Sequence, residues 1–216
     1  MTDDTNEPPI FPTNAPEVFC DSDATPTLFD EVLSRLADVV DVDDTQLGLP
    51  TPCAGFDVAA LRTHVLGWLQ FFAAALSDPT GDADRPDPEA FALPPGTTGS
   101  DIVGKALADI KAAIAADVAG RLVTMSSSRM AGDGVLGMAL GEYIVHAWDL
   151  ARATGAPYAA PDSAVLPAHE FLQGMVAPEY RGPDSGFFDD EVEVAADASP
   201  LDRLLGFAGR DPHWQP

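Results

Sequence analysis

Apolar residues recur every three or four positions along four long stretches of the chain, and each stretch reads as a helix with one face on a shared core. Leu28, Phe29, Val32, Leu33, Leu36, Val39 and Val40 predict a first helix over about Pro26 to Val40. Thr25 would be its N-cap and Pro26 its first helical residue. Gly48, Pro50, Pro52 and Gly55 then punctuate a loop. A second helix starts at the natural N-cap Asp57 and runs to about Leu76, with Val58, Leu61, Val65, Trp68, Leu69 and Phe72 inward. His64 falls on that inward stripe. A long Pro-, Gly- and Asp-rich connection occupies residues 77–99, and a third helix follows from about Ser100 to Val118. Leu122 to Met125 is a short extended piece before a Ser/Gly loop. The fourth helix, about Val135 to Ala153, stops at Thr154-Gly155.

Further on the pattern is weaker. Residues 162–176 read as helix, ended by Pro178. An acidic loop over residues 182–199 contains Val192 and Val194, too short an alternation for a firm strand. Ser199-Pro200 opens a last short helix that stops at Gly209. The expected fold is all-α: a four-helix bundle with short C-terminal helical additions, spanning residues 24–216. Residues 1–23 are acidic and Pro-rich and read as a flexible tail, with Phe11 and Phe19 as candidates to dock on the body.

The fourth helix breaks its own pattern. Glu142, His146 and Asp149 fall within roughly 60° of one another on a helical wheel, among Leu140, Ile144, Val145 and Leu150. Charges among apolar neighbours are costly unless paired or bound to a metal. His64 on the second helix is a second imidazole on a core-facing stripe. If these two helices face each other, His64, Glu142 and His146 offer two nitrogens and one carboxylate oxygen. That donor set suits Zn²⁺, Ni²⁺, Fe²⁺ or Mn²⁺ and leaves coordination positions open. The bland alternatives are a Glu142–His146 ion pair and a hydrogen-bonded core histidine at position 64. Asp149 is either the acceptor that orients a ligand imidazole or a polar residue paired with Arg152 or another base. Cys53 reads as a small buried loop residue rather than a ligand. Trp68, Trp148 and Tyr143 read as core or pocket wall. Arg203 and Arg210 either meet an anionic substrate or pair with carboxylates, and His169 and His213 stand as surface or packing residues.

Composition narrows the classes. The formal charge of −24, from 35 acidic against 11 basic residues, repels phosphate backbones and argues against nucleic-acid binding. No uninterrupted apolar run approaches the ~18 residues of a membrane span, and the acidic start is unlike a secretory signal. Two isolated cysteines, Cys20 and Cys53, fit a reducing cytoplasm without a disulfide framework. A homodimer stays open.

Three blocks add a resemblance. Thr51-Pro52-Cys53-Ala54-Gly55-Phe56-Asp57-Val58 with Leu61 and His64 is one. Glu142-x3-His146-Ala147-Trp148-Asp149-Leu150-Ala151-Arg152-Ala153-Thr154-Gly155 is the second. In that order they resemble the signatures of the mycothiol-dependent maleylpyruvate isomerase N-terminal family, among the DinB-like four-helix bundles. The ending from Pro200 to Pro212 is similar to that of an actinobacterial branch of metal-binding proteins. The resemblance implies a divalent metal, usually zinc, at His64, Glu142 and His146. It also implies a low-molecular-weight thiol as cosubstrate: mycothiol in actinobacteria, bacillithiol in related firmicute proteins. The isomerase's separate full-length C-terminal domain has no counterpart here. The expected reaction is therefore transfer of the thiol to an unknown small electrophile rather than isomerisation. The alternative is a non-catalytic metal-binding or ligand-sensing bundle.

Overall fold

The four amphipathic stretches form four long helices in the computed structural model, which describes Ile10, residues 17–182 and residues 188–216. They are α1 (Thr25–Val40), α2 (Val58–Ser77), α3 (Gly99–Ala115) and α4 (Gly132–Thr154). Helix α1 packs on α3 and α4, and α2 packs on the same two, so α1 and α2 occupy opposite corners of the bundle. Helix α5 (Asp162–Met175) lies against α4 and α1, and α6 (Pro200–Phe207) lies on α5. The architecture is the expected helical bundle with helical additions at its C-terminal end. Among the described residues no helix is long and apolar enough to cross a membrane.

Three of the helix starts, those of α2, α3 and α6, carry side-chain caps. Asp57 accepts a hydrogen bond from the Ala60 N–H, and Ser199 accepts one from the Asp202 N–H. Thr98 and Asp101 form a reciprocal capping box at the start of α3. Such caps contribute about 1 kcal/mol each. The expected cap at Thr25 is corrected: Ala24 holds that position, and the Thr25 hydroxyl donates to the Phe19 carbonyl instead. The chain before α1 thereby closes onto the bundle. Phe19 is fully buried and meets the Phe171 ring edge-on. Phe11 lies outside the described residues.

Two further differences concern the middle of the chain. The extended piece is β1 (Leu122–Thr124), and it pairs antiparallel with β2 (Arg129–Ala131) in a hairpin. Helix α4 starts three residues earlier than its apolar pattern, because Gly132 runs directly under the carbonyl of Val118. Val192 does not join a strand; its N–H donates to the Gly206 carbonyl on α6.

What positions the site is the burial of α4. Nearly every residue from Gly132 to Ala153 is buried, because α1, α2 and α5 cover it on three sides. A helix covered on three sides leaves only Met138, Glu142 and Arg152 partly or fully exposed over this span. A fully buried ionised group on it, such as Asp149, has to find a partner inside the protein.

Candidate metal centre

Helices α2 and α4 do face each other, and His64 meets Glu142 across their contact. The His64 Nε2 lies 3.2 Å from Glu142 Oε1. His146, one turn further along α4, places its Nε2 3.3 Å from the same oxygen. One carboxylate oxygen therefore faces two imidazole nitrogens, and the three donor atoms all lie within 4.8 Å of one another. The two imidazole rings meet edge to face, with centroids 5.4 Å apart. The three residues expected to form a constellation are brought together.

These separations suit a cation. Tetrahedral ligands at the 2.0–2.1 Å bond lengths of zinc stand about 3.3 Å from each other. Both observed donor separations to Glu142 Oε1 match that edge. Two imidazoles and a carboxylate with open positions are also the donor chemistry of accessible rather than closed metal sites.

The site has a wet side and a dry side. The side chains of His64 and Glu142 keep 30% and 27% of their surface exposed. His64 was expected on a buried stripe, and the difference has a simple cause: Phe56 and Trp68 flank its ring without covering it. His146 is buried, and its other nitrogen, Nδ1, lies 2.9 Å from Asp149 Oδ2. Burial opposes a charge on His146. The Glu142 carboxylate and the hydrogen bond to Asp149 outweigh it, and push the imidazole up to about 9. Burial likewise raises Glu142, but the two histidines hold its carboxyl well below the usual range.

Asp149 has no exposed surface, and its partners differ from the one first in line. Arg152 points elsewhere: it stacks on the Trp148 ring and donates to the Pro212 carbonyl. The cation beside Asp149 is Arg210, whose Nε lies 3.3 Å from both carboxylate oxygens. Of the two open readings of Arg210, pairing with a carboxylate is the one the structure displays. Its Nη2 also lies 2.9 Å from the Cys53 sulfur. Burial pushes the Cys53 thiol up to about 12, although Arg210 pulls the other way, so the sulfur is a neutral acceptor. Cys53, His146 and Asp149 also group at ligand spacing, but the Arg210 guanidinium already supplies the positive charge there.

The remaining candidates stand apart. Arg203 and His213 are exposed, and His169 packs its ring 5.4 Å from Phe207. Trp148 is buried, and Tyr143, fully buried, meets Phe72 edge-on. The loop before α2 bounds an open hollow of about 390 Å³, with Cys53 and Phe56 in its lining.

Comparison with known proteins identifies the family. The model of the mycothiol maleylpyruvate isomerase N-terminal domain matches residues 29–151, more than half of the chain. The chain belongs to this family. The matched span includes His64, Glu142, His146 and Asp149 but ends before Arg210. An uncharacterised protein of Mycobacterium tuberculosis, found in two strains, is 28% identical over 167 residues, covering 76% of this chain and 85% of that one. A crystal structure of the mycothiol-dependent maleylpyruvate isomerase superposes with a TM-score of 0.46 at 17% identity. The overlap covers 68% of this chain and 67% of that one, and a mutant of the same enzyme gives the same figures.

Proposed function

We propose that this family member binds one divalent cation through His64, Glu142 and His146 and joins a low-molecular-weight thiol of the mycothiol type to a small electrophile. Zinc is the first choice of cation, with nickel, iron or manganese as alternatives. The observation that carries the reading is the convergence of three donor atoms from α2 and α4 within 4.8 Å. The thiol enters from the family's own description and from the mycothiol-dependent isomerase among the similar structures. Such a thiol belongs to the cytoplasm, and the reading places the protein there.

Each residue has a task in this scheme. Glu142 supplies the anionic oxygen, and His64 from α2 and His146 from α4 would supply neutral nitrogens beside it. The exposed edges of His64 and Glu142 leave the approach open to a ligand. Phe56 and Trp68 offer apolar walls beside that approach. Asp149 closes the opposite side and fixes the ring of His146 through Nδ1. When bound, a divalent cation lowers the pKa of a thiol at an open position and keeps it as the nucleophilic thiolate. With an activated alkene the transfer needs no further reactant. The sulfur lone pair forms the S–C bond, the alkene π pair shifts to the neighbouring carbon, and that carbon takes up the proton the thiol gave up.

Metal analysis of the purified protein, then thiol titration of a Co²⁺-substituted sample, tests this reading. One equivalent of metal and a changed ligand-field spectrum on adding mycothiol are the expected results. A His64→Ala variant with full metal occupancy overturns the ligand set. A Co²⁺ spectrum indifferent to mycothiol and to simple thiols removes the thiol chemistry and leaves a centre that only ties α2 to α4.

A further inference from the structure

Beyond the three donors, one buried side chain, that of Arg210, joins α4, the loop before α2 and the C-terminal segment without contacting the donors themselves. Arg210 follows Gly209, whose φ of +80° ends α6 and turns the chain inward. A side chain at position 209 would strike Asp189, with a Cβ contact of 2.7 Å, so the turn requires glycine. The Arg210 N–H then donates to the Leu205 carbonyl, and its Nη1 donates to the Ala208 carbonyl at 3.0 Å. This fixes the root and one arm of the guanidinium. The other edge meets Asp149, with Nε 3.3 Å from both oxygens and Nη2 3.3 Å from Oδ2. Nη2 is also shared with the Cys53 sulfur at 2.9 Å, in the loop that carries Phe56 against His64. On its outer side Asp189 approaches Nη1 at 4.0 Å.

We infer that Arg210 is a positioning residue of the metal centre, holding Asp149 in place so that His146 presents Nε2 toward Glu142 and His64. The inference rests on the metal reading of those three residues. The physical argument is one of satisfied groups. A fully buried carboxylate can be a fixed acceptor for His146 Nδ1 only while its charge is compensated and its rotamer is held. Arg210 does both with a planar fork of donors, which a lysine cannot reproduce. Through Cys53 the same guanidinium also sets the loop that leads into α2. The C-terminal segment, outside the span matched to the family, thus completes a centre whose ligands lie within that span.

The test compares full-length wild type with Arg210→Met, Arg210→Lys and Asp149→Asn. The readouts are Zn²⁺ affinity by chelator competition, the Co²⁺ ligand-field spectrum, and the melting temperature of the metal-free form. A positioning role predicts Zn²⁺ affinity weakened about 10- to 100-fold in Arg210→Met and Asp149→Asn, with an altered Co²⁺ spectrum and intermediate values for Arg210→Lys. A melting temperature that falls while metal affinity and spectrum stay at wild-type values overturns the inference. Failure of all three variants to fold assigns Arg210 to the fold alone and overturns it too. Wild type that takes up neither Zn²⁺ nor Co²⁺ defeats the metal reading beneath it, an outcome seen before any variant is made.

Discussion

Helix α4 buries an aspartate near each end, and the protein satisfies them by opposite means. Asp133, in the first turn, accepts the backbone N–H groups of Val18 and Phe19 at 3.3 and 2.5 Å, and the Cys20 thiol at 3.4 Å. Asp149, near the last turn, lies between Arg210 and His146. The helix dipole accounts for the difference. Its positive N-terminal end already favours Asp133, so neutral donors suffice there. Toward its negative C-terminal end a carboxylate is not favoured in this way, and Asp149 takes a full cation, Arg210, as partner. The first aspartate therefore fixes the path of the chain ahead of α1, and the second couples to the centre. A buried acid satisfied by backbone donors points to architecture. One satisfied by side chains leading to a donor cluster points to chemistry.

The largest expected effect tests the costlier of the two. Asp149→Ala leaves the buried Arg210 charge without its carboxylate, and about 3–5 kcal/mol of stability should be lost in urea denaturation of chelator-treated protein. A loss below about 1 kcal/mol would break the contrast, because solvent would then be reaching Arg210. Asp133→Ala should cost less, about 1.5–3 kcal/mol, since it strands neutral donors. Its Zn²⁺ affinity should equal wild type, and any metal effect would erase the division between the two ends.

Gly137→Ala sharpens the architectural side without touching an acid. A Cβ there would lie 2.6 Å from the Phe171 ring and 2.8 Å from the Phe19 ring. Both rings are fully buried and would have to shift, so thermal denaturation should show a loss of about 1–3 kcal/mol. The smallest effect is in thiol reactivity. Burial, and then the hydrogen bond to Asp133, pushes the Cys20 thiol up to about 11. Cys53 stands at about 12. Both folded pKa values lie above the ordinary thiol value, so both groups hold their protons at pH 8 and iodoacetamide should label them slowly. Labelling of Cys20 should rise as pH approaches 11, and that of Cys53 should wait for unfolding. Fast labelling of Cys53 at pH 8 would mean that its packing against Arg210 is not maintained.

Much of the candidate site was legible in residues alone. The spacing of Glu142, His146 and Asp149 put three polar groups on one buried stripe, and the stripe of α2 included His64. Charge pairing was less legible. Arg152, three residues from Asp149, was the nearest cation in sequence, yet it turns to Trp148 and Pro212. Arg210 was marked, with Arg203, as a base that pairs with a carboxylate or meets an anionic substrate, but nothing local connects it to an acid 61 residues earlier. The Cys53 sulfur against Arg210 carried no signal beyond its place in a loop.

The sequence by itself determined where the four helices run, which face of each is apolar, and that polar residues interrupt two of those faces. These are properties of a 3.6-residue period, and a period is written in neighbouring positions. Only the tertiary structure decided that α2 meets α4 with His64 at Glu142, that His64 keeps an exposed edge, and that Arg210 balances Asp149. Each of these is a pairing across the chain. Such pairings follow from how helices of given length and turn geometry pack, and from which buried charge can reach another.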